Sequence, residues 1–153
     1  MRKDSVKKKL NAIEEEFAGK AVLIVDDSIV RGNTSRRIVE MAKEAGARRV
    51  FFASSAPPIV HPNVYGIDMP ARNEYVAYNR TIEEIRKVIG VDWLLYQELP
   101  ALVEACLGAG DTDLASFDCS CFNGEYVTGG ITEEYLAKVE SMRNDAAKRK
   151  ASV

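Results

Sequence analysis

The sequence has little histidine, cysteine or tryptophan and no long apolar run. Its single histidine, His61, sits in a loop beside Pro62 with no identifiable acid partner. That marks a surface residue rather than an acid–base catalyst. The three cysteines, Cys106, Cys119 and Cys121, are an odd count, and Cys119-Ser120-Cys121 is too tight for an ordinary structural disulfide. Free thiols in a reducing compartment are expected. No apolar run is long enough to span a bilayer, and the basic N-terminus is not followed by the apolar stretch of a signal peptide. A cytoplasmic location is therefore expected. A formal net charge of −2 gives no strong field for nucleic acid or a membrane surface. No internal repeat is present.

What remains is globular material: 153 residues, 46% of them hydrophobic, enough for one domain with a core. The chain is organised around the stretch from Ala21 to Ser35. Ala21-Val22-Leu23-Ile24-Val25 is a continuous apolar run, the pattern of a strand buried on both faces of a parallel sheet. Asp26 and Asp27 end it. Arg31 to Thr34 is a short polar loop around Gly32, and Ser35 opens a segment with Ile38, Met41, Ala42 and Ala45 at helical spacing. Ligands bind beyond the carboxyl ends of the strands in open α/β sheets. Backbone N–H groups of the Arg31–Ser35 turn, with the helix dipole behind them, favour a dianionic phosphate. Gly32 permits close approach of the backbone, and the Thr34 and Ser35 hydroxyls add hydrogen bonds. The two carboxylates accept only, which suits the vicinal hydroxyls of a sugar or the water shell of Mg²⁺. A phosphate at one end and a diol at the other describe a ribose 5-phosphate. The same residues also fit an ordinary strand-to-helix turn whose acids cap the helix.

Upstream, Val6, Leu10, Ile13 and Phe17 keep helical spacing, and Gly19 stops that helix. Lys7, Lys8 and Lys9 form a basic cluster, and Glu14, Glu15 and Glu16 form an acidic face. Downstream, a helix from about Thr34 to Ala45 stops at Gly46, and Arg48–Ser54 follows as a strand, completing a β-α-β unit. Pro57 and Pro58 close it. His61–Pro70 is a long irregular loop, of a length more often functional than decorative. Ala71–Ala77 reads as a short helix. Thr81-Ile82-Glu83-Glu84 is a capping box, heading a helix with Ile82, Ile85, Val88 and Ile89 on its apolar face and Gly90 at its end. Asp92–Tyr96 is a third strand, with Trp93 in core or sheet-face packing. Pro100 opens a helix carrying Leu102, Val103 and Cys106, and Asn123-Gly124 signals a hairpin. Thr132 caps a last helix whose Leu136, Val139 and Met142 face inward, and the charged Asn144–Val153 is expected to fray. These elements give an α/β fold, a mostly parallel sheet with flanking helices. Residues 1–115 form its main domain, 116–143 a C-terminal hairpin and helix packed on it, and 144–153 a tail.

The central stretch resembles the phosphoribosyl pyrophosphate (PRPP) loop of type I phosphoribosyltransferases: an apolar strand, two acids, then a short turn. Its Ser28-Ile29-Val30-Arg31-Gly32 form is similar to that of the glutamine PRPP amidotransferase family. Ser5–Asn11 and Tyr65-Gly66-Ile67-Asp68 also resemble segments of that family. Asn33 stands where the family usually has Thr, a change that keeps a donor and an acceptor. The resemblance implies a partial type I phosphoribosyltransferase fold with a C-terminal helical extension. It implies that Asp26 and Asp27 hold the ribose hydroxyls and Mg²⁺. Ser28, Val30, Arg31, Gly32, Asn33, Thr34 and Ser35 would then complete the PRPP site around the 5-phosphate. The complete enzyme would be a glycosyltransferase that forms 5-phosphoribosylamine from PRPP and glutamine-derived ammonia, releasing pyrophosphate, in the first step of purine biosynthesis. PRPP, purine nucleotides and further copies of the complete enzyme are the implied partners. No residue stands out as a general base.

Some members of the family carry an iron–sulfur cluster held in part by a Cys-X-X-Cys pair. Here the spacing is Cys-X-Cys, and Asn63 occupies the place of another cluster cysteine, so no cluster is implied. The resemblance places Met1 just after the family's mobile active-site loop. A C-terminal piece without the glutaminase domain is therefore expected, inactive alone, its truncated sheet exposing an edge and an apolar face. A stand-alone PRPP- or nucleotide-binding module without catalysis is the alternative, since the loop serves both.

Overall fold

The structure is a computed structural model and describes residues 14–67, 69, 71–109 and 114–151. The basic cluster at Lys7–Lys9 and most of the first amphipathic segment lie outside them. The sheet has three parallel strands, β1 (Ala21–Asp26), β2 (Arg49–Ser54) and β3 (Trp93–Tyr96), in the order β1-β2-β3. Ile24 pairs with Phe52 and Phe52 with Leu94, which sets the register. Asp92 fixes the β2–β3 end of that register, its carboxylate accepting from the Val50 N–H at 2.7 Å. The helices are α1 (Glu14–Phe17), α2 (Asn33–Glu44), α3 (Ile82–Ile89), α4 (Leu99–Gly108), α5 (Ser120–Asn123) and α6 (Glu133–Ala151).

Alternate residues of a strand share a face. The pairing places Ile24, Phe52 and Leu94 on one face, followed by Asp26, Ser54 and Tyr96 at the carboxyl ends. The core forms on that side, where Val50, Phe52, Leu94 and Tyr96 meet Val39 and Ala42 of α2 and Ile85 and Ile89 of α3. Each fully buried side chain of this size contributes about 1.5–3 kcal/mol. Thr81 heads α3 with the expected capping box: its Oγ1 accepts from the Glu84 N–H, and the Glu84 carboxylate accepts from the Thr81 N–H. Lys43 of α2 donates to the Gly90 carbonyl at 2.6 Å, joining the two helices at the end of α3.

The opposite face is open: the exposed apolar face expected of the sheet is there, while the expected burial of β1 on both sides is not. Leu23, Phe51 and Trp93, with Val25, Ala53 and Leu95, line up on it. Leu23 is 57% and Val25 65% exposed, and Trp93 and Leu95 are 48% and 47% exposed. β1 is thus not buried on both faces. It is an outer strand of the described sheet, and the described helices pack on one side. Trp93 keeps an edge-on contact with Phe51, ring centroids 6.5 Å apart.

Other local readings also change. Ala71–Ala77 is not an α-helix but a 3₁₀ turn at Arg72–Glu74 followed by irregular chain, with Tyr75, Val76 and Ala77 buried. Asn123-Gly124 makes no hairpin: Ser120–Asn123 is one helical turn, and Gly124 ends it at φ 74°. Asn-Gly serves either purpose, because what it supplies is a residue tolerant of positive φ. In α3 only Ile85 and Ile89 are buried, while Ile82 and Val88 are exposed. In α6 Leu136 is buried and Met142 is 64% exposed. α6 ends at Ala151. No helix among the described residues is long and apolar enough to cross a membrane.

Candidate phosphate and sugar site

β1 delivers Asp26 and Asp27 to the carboxyl end of the sheet, and the chain then turns through Ser28–Gly32 into α2. The turn is tied down from within. Asp26 Oδ1 accepts from the Asp27 N–H at 3.0 Å, and Asp27 Oδ1 accepts from the Ser28 hydroxyl at 2.8 Å. One oxygen of each carboxylate is left without a partner among the described residues. Asp26 is half-buried beside Ser54, and Asp27 is exposed. Ile29 points the other way, into the core. The Asp26 carbonyl accepts from the Ser55 N–H at 2.9 Å, which ties the strand end to the next connection.

Gly32 is the N-cap of α2, at φ 75°. The first intrahelical bond is Arg36 N–H to the Gly32 carbonyl, at 2.9 Å. The N–H groups of Asn33, Thr34 and Ser35 precede it and have no helical acceptor. No side chain caps this end, and no acid lies in the first turn. Three free donors at the positive end of a helix, without a resident counter-charge, suit an anion. Asn33 and Thr34 are exposed there. Ser35 is not: the residue is almost wholly buried.

The other side of the loop is closed by the segment after the 3₁₀ turn. Val76 N–H donates to the Val30 carbonyl at 2.8 Å. Arg31 Nε pairs with Glu74 Oε2 at 2.9 Å. Sequence reading singled out neither Glu74 nor Val76, and no local pattern could have done so, since their partners lie far away along the chain. Of the nine residues expected in the site, Asp26, Asp27 and Ser28 are brought together by hydrogen bonds, and Val30 to Thr34 line the turn itself.

Divalent metal has a limited footing here. Among the described residues no three His, Cys, Asp or Glu groups are placed to hold an ion. Two carboxylates with free oxygens suit a Mg²⁺ that arrives with a substrate's phosphates and keeps much of its water. They do not make an all-protein cage. The cysteines stand apart from this site. Cys121 Sγ lies 3.7 Å from Met69 Sδ, and burial pushes its thiol pKa up. Asn63 is buried, its carbonyl oxygen accepting from the Tyr65 and Ile67 N–H groups. His61 is not a plain surface residue. It is half-buried against Gly124, where an added Cβ would lie 2.9 Å from its ring.

No family model matches the chain. It is 56% identical over 150 residues to the amidophosphoribosyltransferase of Pseudomonas aeruginosa, covering 98% of this chain and 30% of that protein. It is 52% identical over 148 residues to the Escherichia coli protein of the same name, with 97% and 29% covered. For the Saccharomyces cerevisiae protein the identity is 49% over 156 residues, with 99% and 30% covered. Among solved structures it is similar to the Bacillus subtilis glutamine PRPP amidotransferase complexed with ADP and GMP. That match has a TM-score of 0.67 at 38% identity, over 81% of this chain and 28% of the other. A second, the allosteric regulatory enzyme of purine biosynthesis, gives 0.69 at 39% identity, over 84% and 28%. The chain spans about 30% of the length of the curated relatives it matches. The parallel three-stranded sheet with its helices is part of a type I phosphoribosyltransferase fold.

Proposed function

The chain matches the C-terminal phosphoribosyltransferase region of the amidophosphoribosyltransferases, and on that premise we propose that it carries the ribose 5-phosphate half of a PRPP site. The observation that carries the reading is the start of α2. It is uncapped and acid-free, and it stands at the carboxyl end of β1 directly after the hydrogen-bonded run Asp26-Asp27-Ser28. The 5-phosphate takes the N–H groups of Asn33, Thr34 and Ser35. The free carboxylate oxygens of Asp26 and Asp27 accept from the ribose hydroxyls and hold Mg²⁺ through its water shell. Bound with the substrate, Mg²⁺ supplies charge stabilisation for a departing pyrophosphate. This chain's residues bind and orient the sugar while its anomeric carbon develops positive charge, and carboxylates nearby stabilise that charge.

In the complete protein the reaction is displacement of pyrophosphate from PRPP by glutamine-derived ammonia, giving 5-phosphoribosylamine. Ammonia is neutral and nucleophilic, so no strong base is required of these residues. A ribonucleoside 5′-monophosphate such as the GMP of the B. subtilis structure presents the same sugar phosphate and would compete for the same loop.

Calorimetric titration of PRPP into the 153-residue chain tests this, with and without Mg²⁺. Saturable binding that Mg²⁺ strengthens is expected, with competition by GMP. Asp27→Asn should weaken it at least tenfold while the melting temperature stays within a few degrees, because Asp27 is exposed. PRPP binding that is absent, or that Asp27→Asn leaves intact, would sink the assignment.

A further inference from the structure

We propose that Glu74 is a positioning residue for the phosphate loop, acting through Arg31, an inference that rests on the ribose 5-phosphate reading above. Three successive loop residues each meet the strip Glu74–Val76. The Val30 carbonyl accepts from the Val76 N–H at 2.8 Å. Arg31 Nε meets Glu74 Oε2 at 2.9 Å. Gly32, the N-cap of α2, packs so tightly on Val76 that an added Cβ would lie 3.0 Å from its Cγ2. Glu74 is itself anchored, its other oxygen accepting from the Ala71 N–H at 3.2 Å at the head of the 3₁₀ turn. The carboxylate is therefore tied to the 3₁₀ turn independently of any ligand, and Arg31 pairs with it.

That geometry has a chemical consequence. Arg31 approaches Glu74 most closely through Nε, and its two terminal amino groups donate no hydrogen bond to the described residues. A guanidinium held by Nε keeps its two-pronged end for another anion, the arrangement that pairs best with phosphate oxygens. Without Glu74, the long side chain of Arg31 would have to be ordered by the ligand itself. Holding such a side chain in place beforehand removes an ordering cost from binding. Electrostatics alone predicts the reverse. Removing a negative charge beside the loop should strengthen anion binding, so the sign of the effect separates the two accounts.

The probe is ribose 5-phosphate, titrated calorimetrically into the full chain and into Glu74→Gln, Arg31→Ala and the double variant. Glu74→Gln should weaken binding about 2- to 12-fold, the range expected for ordering one rotamer-rich side chain. Its melting temperature should not move, since an ion pair this exposed contributes little to folding. Arg31→Ala should weaken binding at least as much. Adding Glu74→Gln to it should then change nothing further, because Glu74 acts only through Arg31. Equal or tighter binding by Glu74→Gln would overturn the inference while leaving the phosphate site standing. So would additive losses in the double variant. No binding of ribose 5-phosphate by the unaltered chain would overturn both.

Discussion

Gly32→Ala is the substitution whose cost can be worked out most fully. Gly32 is buried and holds φ +75°, a left-handed conformation that costs an L side chain about 1–2 kcal/mol. The added methyl would also meet Val76 Cγ2 at 3.0 Å, Ile89 Cγ2 at 3.3 Å and Val76 Cβ at 3.3 Å. Val76 cannot yield easily, since its side chain is buried and its N–H is bonded to Val30. Overpacking of this kind costs about 1–3 kcal/mol, so the whole change should cost roughly 2–5 kcal/mol. Gly90 supplies the control. It has nearly the same conformation, φ +79°, with nothing within 4 Å of an added Cβ. Gly90→Ala should therefore cost only the backbone part, about 1–2 kcal/mol. In a domain of this size each kcal/mol moves the melting temperature by about 2–4 °C. Thermal melts and urea titrations of the two variants, side by side, isolate the clash. Val76→Ala combined with Gly32→Ala removes the obstructing methyl, so the pair should cost less than the sum of the singles. If Gly32→Ala proves no more destabilising than Gly90→Ala, the close packing of the loop on Val76 is wrong.

Two further outcomes follow from buried groups. The Tyr96 hydroxyl is buried without a hydrogen-bond partner among the described residues, and burial pushes its pKa up to about 12. Tyr96→Phe should stabilise the protein by about 1 kcal/mol. In the unaltered chain, stability should be lost as pH rises from about 10 through about 12, because the raised pKa favours the neutral folded form. Urea titrations of Tyr96→Phe across that alkaline range should show a smaller loss, and an unchanged loss would be inconsistent with this account. His61 has its pKa lowered, first by burial and then by Arg72, with Glu133 opposing. Its stabilising contribution is present above its ordinary value of 6.5 and is lost as pH falls through the lowered folded value. His61→Asn should flatten the fall in stability between pH 7.5 and mildly acid conditions, and a variant as pH-sensitive as the parent would refute the assignment.

The elements written locally in the sequence are the ones that were legible. The Thr81–Glu84 capping box, the glycines at 19, 46 and 90, and the three apolar runs each rest on neighbours a few residues away, and each is found within a residue or two. The run of two acids, a polar turn and a helix start was legible for the same reason. The short turns were less so. Asn123-Gly124 states only that one residue tolerates positive φ, and a hairpin and a helix end both need that. Ala71–Ala77 has helical composition, but its Tyr75, Val76 and Ala77 are drawn into the core against the loop, and tertiary packing overrides so short a helical preference.

The misreading of β1 and the invisibility of Glu74 have a common cause. An apolar run reports that side chains want shelter but not which element provides it, and an acid in a short turn reports nothing of a partner far along the chain. In β1 the run Ala21–Val25 is apolar on both sides, yet only the side bearing Val22 and Ile24 meets described helices. Leu23 and Val25 stand with Trp93 and Leu95 on an open face. The phosphate loop shows the converse. Apart from Ile29 and Val30 its own residues are polar or glycine, and read alone they would suggest a pliable turn. What holds them is the strip Glu74–Val76, with a backbone hydrogen bond to Val30, an ion pair to Arg31 and a methyl against Gly32. The proposed phosphate site, with three backbone N–H groups turned to one anion, needs that support, because its donors lie on the chain itself and move with it. The ligand-facing residues are therefore the legible half of the site, and the residues that set its shape are found only once the fold brings them together.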